Sequence, residues 1–317
     1  MSKSVTLVEV GLRDGLQNES TPVLSSDRIQ MAQMLVHAGV KRLELGAFVR
    51  ADWVPQMAGS QEVIAGVFKL SAKDKKLAAA QYSALVPNEK GMHEAIKSGV
   101  KEIAIFAASS ESFSQKNINC SIEESFQRFE PVVALAKKHK IRIRGYLSTC
   151  FGCPYEGLVP ESKVVKLAMR LLALGCFEVS IGDTIGVATP GQVESLFKKL
   201  KKVIPAKKLA GHFHDTRGTA LVNILTAYQL GIRVFDSSLG GLGGCPYAPG
   251  STGNVATEDV VYLFDGMGVN TGLNLAKLIE ANKWTSAKMN KPLASKVGLV
   301  GALKPQGKVR VTKNITI

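Results

Sequence analysis

The sequence predicts an α/β fold, a closed barrel of eight strand–helix units followed by an extra C-terminal helical segment. Three observations carry that expectation. Short runs rich in β-branched and apolar residues recur eight times, stretches of helical periodicity separate them, and a repeated phrase of helix, glycine and strand joins them. The phrase reads HAGVKRLEL, KSGVKEIAI, ALGCFEVSI and QLGIRVFDS, placing Gly39, Gly99, Gly175 and Gly231 where helices end. Strict alternation of strand and helix implies a parallel sheet, and eight units imply a (β/α)8 TIM barrel.

In chain order the strand runs fall at 5–10, 42–48, 82–86, 102–107, 142–149, 177–183, 209–215 and 234–239. Helical periodicity covers 27–38, 89–98, 122–139, 162–174, 192–203 and 219–230. One catalytic domain over 1–290 accounts for this pattern, and a basic tail over 291–317 finds no place in it. That tail is expected either to fray or to cover a neighbouring subunit.

Composition narrows the function classes. The 317 residues are 45% hydrophobic, with no apolar run long enough to cross a bilayer and no basic-then-apolar start that would mark a cleaved leader. The expected address is the cytoplasm. Five cysteines, an odd number spread through a long chain, fit a reducing compartment better than a disulfide framework. Cys150 and Cys153 form a lone C-x-x-C without a thioredoxin-like context, so redox chemistry is a weak reading. The net charge of +14 attracts polyanions. Its lysine clusters at 73–76, at 198–202 and in the tail lack a nucleic-acid-binding motif, which leaves a phosphorylated small molecule as the expected partner, with neither nucleic acid nor membrane.

The run GHFHD at 211–215 is the strongest chemical signal. Alternate residues of a strand share a face and lie about 7 Å apart, so His212 and His214 can reach one ion while Phe213 turns into packing. Two ordinary strand histidines would give the same pattern. The barrel tips the balance, because such folds build their sites at the carboxyl ends of the strands. There the sequence places Arg13 and Asp14 after strand one, Glu44 on strand two, and Arg144, Tyr146 and Ser148 on strand five. Ser180 and Asp183 follow on strand six, the two histidines on strand seven, and Cys245 and Asn254 after strand eight. Asp14, His212, His214 and Asn254 then offer two imidazoles and two oxygen donors, a thiolate-free set that suits Mg²⁺ or Mn²⁺ better than a structural zinc, with Zn²⁺ or Co²⁺ as the alternatives. Glu44 would support the metal and Arg13 from behind. Gln17, Ser148 and Ser180 could position a substrate carboxylate or hydroxyl. His37, His93 and His139 have no partner in the pattern and are read as non-catalytic.

Several longer motifs carry a family resemblance: EVGLRDGLQNE at 9–19, AFVRADWVPQM at 47–57, KNINCSIEESFQRF at 116–129, GCPYEG at 152–157, GDTIGVATPG at 182–191, HFHDT at 212–216 and GLGGCPYAPGSTGNVATED at 241–259. Together they resemble the 3-hydroxy-3-methylglutaryl-CoA lyases, over residues 5 to about 290. The cysteine loop is the most specific of them, since RDG and the paired histidines are shared with related metal-dependent barrel lyases and Claisen-type synthases. The resemblance implies a retro-Claisen cleavage of 3-hydroxy-3-methylglutaryl-CoA to acetyl-CoA and acetoacetate. It implies Arg13 as stabiliser of the enolate oxygen, Cys245 as proton donor to carbon, Asp183 or His212 as base, and Asn117 against the CoA moiety. Leucine degradation and a homodimer are further expectations of the family. Ala47 and Arg217 depart from its pattern, where serine and tyrosine are usual, which bears on acyl selectivity. Two other readings compete: a synthase or aldolase of the same barrel group that condenses an acyl-CoA with an oxo acid, and a non-enzymatic polyanion binder suggested by charge alone.

Overall fold

A computed structural model describes residues 4–20, 22–244 and 253–301. Eight parallel strands, β1 (Thr6–Glu9), β2 (Arg42–Ala47), β3 (Gln81–Leu85), β4 (Glu102–Ala108), β5 (Arg142–Ser148), β6 (Glu178–Asp183), β7 (Leu209–Phe213) and β8 (Val234–Ser237), each pair with their sequence neighbours. β1 also pairs with β8, Thr6 opposite Val234 through Glu9 opposite Ser237, and this closes the barrel. The predicted strands all form, most of them a residue or two shorter at the ends.

The helices are α1 (Ser25–His37), α2 (Ser60–Ser71), α3 (Lys75–Ala79), α4 (Glu89–Ser98), α5 (Glu111–Ile118) and α6 (Ile122–Lys138). They continue as α7 (Glu161–Leu174), α8 (Pro190–Val203), α9 (Ala220–Gln229), α10 (Thr257–Gly266), α11 (Leu275–Met289) and α12 (Lys296–Val300). Their ends follow local chemistry. Ser121 and Glu124 form a reciprocal capping box that starts α6, and Thr189, Pro190 and Gln192 do the same for α8. Gly99 and Gly175 stop α4 and α7 in the left-handed conformation, φ 81° and 117°, which a side chain would resist. Leu35, Val67, Phe129, Val132, Leu171, Phe197, Ile224 and Phe264 belong to the continuous buried core that joins these helices to the strands. Among the described residues no helix is long and apolar enough to cross a membrane.

The barrel axis is polar. Arg42 reaches Glu178 at 3.2 Å and Glu102 at 3.5 Å, and Arg144 reaches Glu178 at 2.7 Å and Asp236 at 2.8 Å. Arg13 reaches Glu44 and Asp14, both at 2.6 Å. Each of these three cations is thus matched by carboxylates, without which its desolvation would be prohibitive.

Residues after β8 tie the last described segment, 291–301, to the barrel. Glu9 accepts from the amides of Gly11 and Leu239 and from Thr257 Oγ1, while Glu258 accepts from the Gly240 amide and Asn282 Nδ2. Asp259 accepts from Ser295 Oγ at 2.8 Å and from the amides of Lys296 and Val297. Leu293 is buried and Lys291 pairs with Glu19, so residues 291–301 dock on the barrel instead of fraying. The rest of the predicted tail, 302–317, lies outside the described residues.

Burial pushes the carboxyl of Glu9 up to about 7 and that of Glu258 up to about 8, against the hydrogen bonds that favour ionisation. Both folded values exceed the unfolded value of 4.5, so their contribution to stability is complete below pH 4.5 and is lost as pH rises to about 8. Urea unfolding of Glu258→Gln should show a flatter decline of stability between pH 5 and 8 than the wild type. The difference should be on the order of 3 kcal/mol across that window.

Candidate active site and cation centre

The carboxyl ends of the strands surround a cavity of about 470 Å³. Its wall includes Arg13, Asp14, Gln17, Asn117, Tyr146, Ser148, Ser180, His212 and His214, so nine of the side chains expected at this end share one chamber. One carboxylate oxygen of Asp14 and one ring nitrogen each of His212 and His214 lie within 4.8 Å of one another. Asn254 joins them, its Nδ2 2.7 Å from Asp14 Oδ2. β7 stops at Phe213, one residue short of His214, which instead bridges antiparallel to Asn254.

Asp14 follows β1 in a single π turn, Gly11–Gly15, that aims its side chain and that of Arg13 at the same point. Burial acts to raise its carboxyl, but Arg13 and then the two imidazoles outweigh that and hold it at about 2. The Arg13 guanidinium gives Nε to Glu44 Oε2 and Nη1 to Asp14 Oδ1, which fixes its plane at the cavity wall. Tyr146 lies under it, ring centroid 5.3 Å from the guanidinium carbon, and its hydroxyl is 3.4 Å from Glu44. Glu44 therefore touches Arg13 and not the cluster itself.

The donor set fits a divalent cation. Burial and the neighbouring His212 hold the His214 ring down to about 4, so it keeps a lone pair at neutral pH. His214 Nδ1 is buried without a hydrogen-bond partner among the described residues, an arrangement that costs free energy unless something is bound there.

Other expected residues have more local duties. Asp183 accepts from the amides of Val187 and Ala188 at 2.9 and 3.0 Å and stands just behind the wall formed by Gly182 and Thr184. Burial raises its carboxyl to about 6. Ser180 lines the cavity but gives its hydroxyl to Asp236 at 2.7 Å. Arg217 donates to the carbonyls of Ile185 and Gly186, bracing the loop after β6, and Ala47 is buried outside the cavity wall. Cys150 is bonded to Leu147 O and Cys153 to Ser110, so each sulfur is separately engaged. His37 pairs with Asp74 at 2.6 Å, away from the cavity.

Cys245 lies outside the described residues. The two stems of its segment are nonetheless joined: the Gly253 amide donates to Gly243 O, and the Asp215 amide to Gly253 O. Gly243, at φ 118°, allows the close approach, since a Cβ there would stand 2.9 Å from Asn254 Nδ2. The sequence reading missed Asp236, which stands 3.2 Å from His212 Nδ1. Its signal was present: an acid in the apolar run VFDS, at the register position opposite His212.

Comparison with known proteins identifies the family. A curated relative from Pseudomonas aeruginosa, named 3-hydroxy-3-isohexenylglutaryl-CoA/hydroxy-methylglutaryl-CoA lyase, is 50% identical over 93% of this chain and 96% of its own. The crystal structure of a hydroxymethylglutaryl-CoA lyase from Pseudomonas aeruginosa superposes with a TM-score of 0.90 at 49% identity, covering 95% of this chain and 98% of that one. An HMG-CoA lyase from A. baumannii, solved in complex with coenzyme A and 3-methylmalate, superposes with a TM-score of 0.89 at 33% identity, covering 98% and 99%. A family model described as HMGL-like matches residues 4–284, and the chain belongs to that family.

Proposed function

We propose that this protein is a cation-dependent carbon–carbon lyase that cleaves 3-hydroxy-3-methylglutaryl-CoA to acetyl-CoA and acetoacetate in the cytoplasm. The observation that carries the reading is the cluster of Asp14, His212 and His214 within 4.8 Å, set beside Arg13 in one cavity. The names of its relatives supply the substrate.

Asp14, His212, His214 and Asn254 would hold Mg²⁺ or Mn²⁺, which when bound would acidify the substrate's C3 hydroxyl and anchor its carboxylate. Asp183, buried just behind the cavity wall, is the favoured base for the hydroxyl proton. Its two amide contacts leave lone pairs free, and a carboxyl raised to about 6 is matched to neutral pH. His212 is the weaker base, because one ring nitrogen faces Asp236 and the other is wanted by the cation. As the C3 oxygen becomes a carbonyl, the C2–C3 electron pair moves to C2 and into the thioester as an enolate. Arg13, braced by Glu44 and Asp14, meets the charge on that oxygen with a preorganised guanidinium. Cys245 then gives its thiol proton to C2, releasing acetyl-CoA. Gln17 and Ser148 on the cavity wall contact the substrate's acyl portion, and Asn117 its CoA portion.

With Mn²⁺ and 3-hydroxy-3-methylglutaryl-CoA the protein should release acetoacetate, and EDTA should stop it. Absence of acetoacetate with bound Mn²⁺ demonstrated would overturn the substrate. His214→Ala should weaken Mn²⁺ binding by at least about tenfold in a titration that needs no turnover. Cys245→Ala should lower kcat by about 10²–10⁴ and leave Mn²⁺ affinity unchanged. A base must be ionised, so wild-type kcat should fall as pH drops through about 6. Asp183→Asn should lose about 10²–10⁴ in kcat together with that acid limb.

A further inference from the structure

One buried carboxylate beneath the cation cluster has no part in the mechanism so far. Asp236 sits on β8 directly opposite His212 on β7, in a register fixed by barrel closure. Its side chain is completely buried, and three groups converge on it. Oδ2 accepts from Ser180 Oγ at 2.7 Å and stands 3.2 Å from His212 Nδ1, while Oδ1 is 2.8 Å from Arg144 Nη2. Arg144 is in turn held by Glu178 through Nε at 2.7 Å.

This arrangement fixes a choice that the imidazole leaves open. An ionised carboxylate can only accept, so a hydrogen bond between Asp236 and Nδ1 requires the proton to be on Nδ1. Nε2 is then the nitrogen that carries the lone pair, and it alone remains to His212 for the cluster with Asp14 and His214. His214 has no such partner behind Nδ1 among the described residues, so the two histidines are not equivalent. A carboxylate behind a ligating imidazole fixes the ring's orientation and raises the basicity of its free nitrogen.

We propose that Asp236, held by Arg144 and Ser180, is a positioning residue that locks His212 as the Nδ1–H tautomer and makes Nε2 its cation ligand. The proposal rests on reading Asp14, His212 and His214 as a cation site. The competing role is purely structural, with Asp236 serving only as counter-charge to Arg144.

The test combines three measurements on the full-length protein. Histidine-selective ¹⁵N NMR of the metal-free wild type, at a pH where the His212 ring is neutral, should show its proton on Nδ1; a neutral ring with its proton on Nε2 overturns the proposal without any variant. Mn²⁺ titration followed by EPR should show Asp236→Asn binding 10–100-fold more weakly while near-UV circular dichroism stays native. Glu178→Gln removes the other partner of Arg144. It should lower stability to urea yet leave Mn²⁺ affinity within about twofold. Unchanged Mn²⁺ affinity in Asp236→Asn, or an equal loss in Glu178→Gln, would reduce Asp236 to a structural counter-charge. Failure of the wild type to bind Mn²⁺ would remove the cation site itself, and the tautomer measurement would still decide what Asp236 does to His212.

Discussion

The carboxylate of Asp14 must stay ionised inside a protein, and most of the site is arranged around that requirement. Removal from water opposes the charge, and a lone buried carboxylate would take up a proton. Arg13 at 2.6 Å and then the two imidazoles reverse the balance, and the Asn254 amide at 2.7 Å on the other carboxylate oxygen adds to them. Arg13 would itself be too costly to bury with one partner, and Glu44 provides the second. The pairing also fixes the guanidinium. With Nε and Nη1 committed to carboxylates, its plane is set before any ligand arrives, which is the condition for a preorganised donor and what the role proposed for Arg13 draws on.

The same logic extends down the barrel. Arg42, Glu102, Glu178, Arg144 and Asp236 fill the interior below the site with alternating charge. Aliphatic layers would be at least as stable, since buried ion pairs seldom repay their desolvation in full. What the charged layers supply is orientation. Asp236 can hold an imidazole at a fixed angle only if its other oxygen is held too, and Arg144 does this without reaching the cavity itself.

Much of this was legible in the sequence because strands and helices have different periods. The alternation in GHFHD put both imidazoles on one face, and their rings do lie 5.2 Å apart. The repeated helix–glycine–strand phrase fixed the barrel. What escaped had weak local signals. Gly66 interrupts the apolar pattern of α2, yet a Cβ there would stand 2.3 Å from Ile29 Cδ1, so the glycine is what lets α1 and α2 approach. α11 buries Asn282 and Thr285 beside Leu278 and Ile279, which breaks the apolar stripe that marks a helix. A lone acid in VFDS looks like a surface residue until the register sets it opposite His212. The cysteine loop has no periodicity at all, and only its likeness to a known family made Cys245 visible.

The chain beyond β8 also bears on the chemistry. Glu9 ends β1, two residues before the π turn of Asp14, and accepts from the Leu239 amide at the exit of β8. Glu258 holds the next amide, Gly240, and is itself bonded to Asn282 of α11. Asp259 collects Ser295 and the first amides of α12. One set of hydrogen bonds therefore runs from the end of β1, just before the turn of Asp14, through the Gly240 turn, to the last described helix. The first strand and the last described helix meet at that turn. Residues 291–301 are held there by specific acceptors, and a displacement of α12 would be felt first in the Gly240 turn, at the root of the segment that carries the thiol.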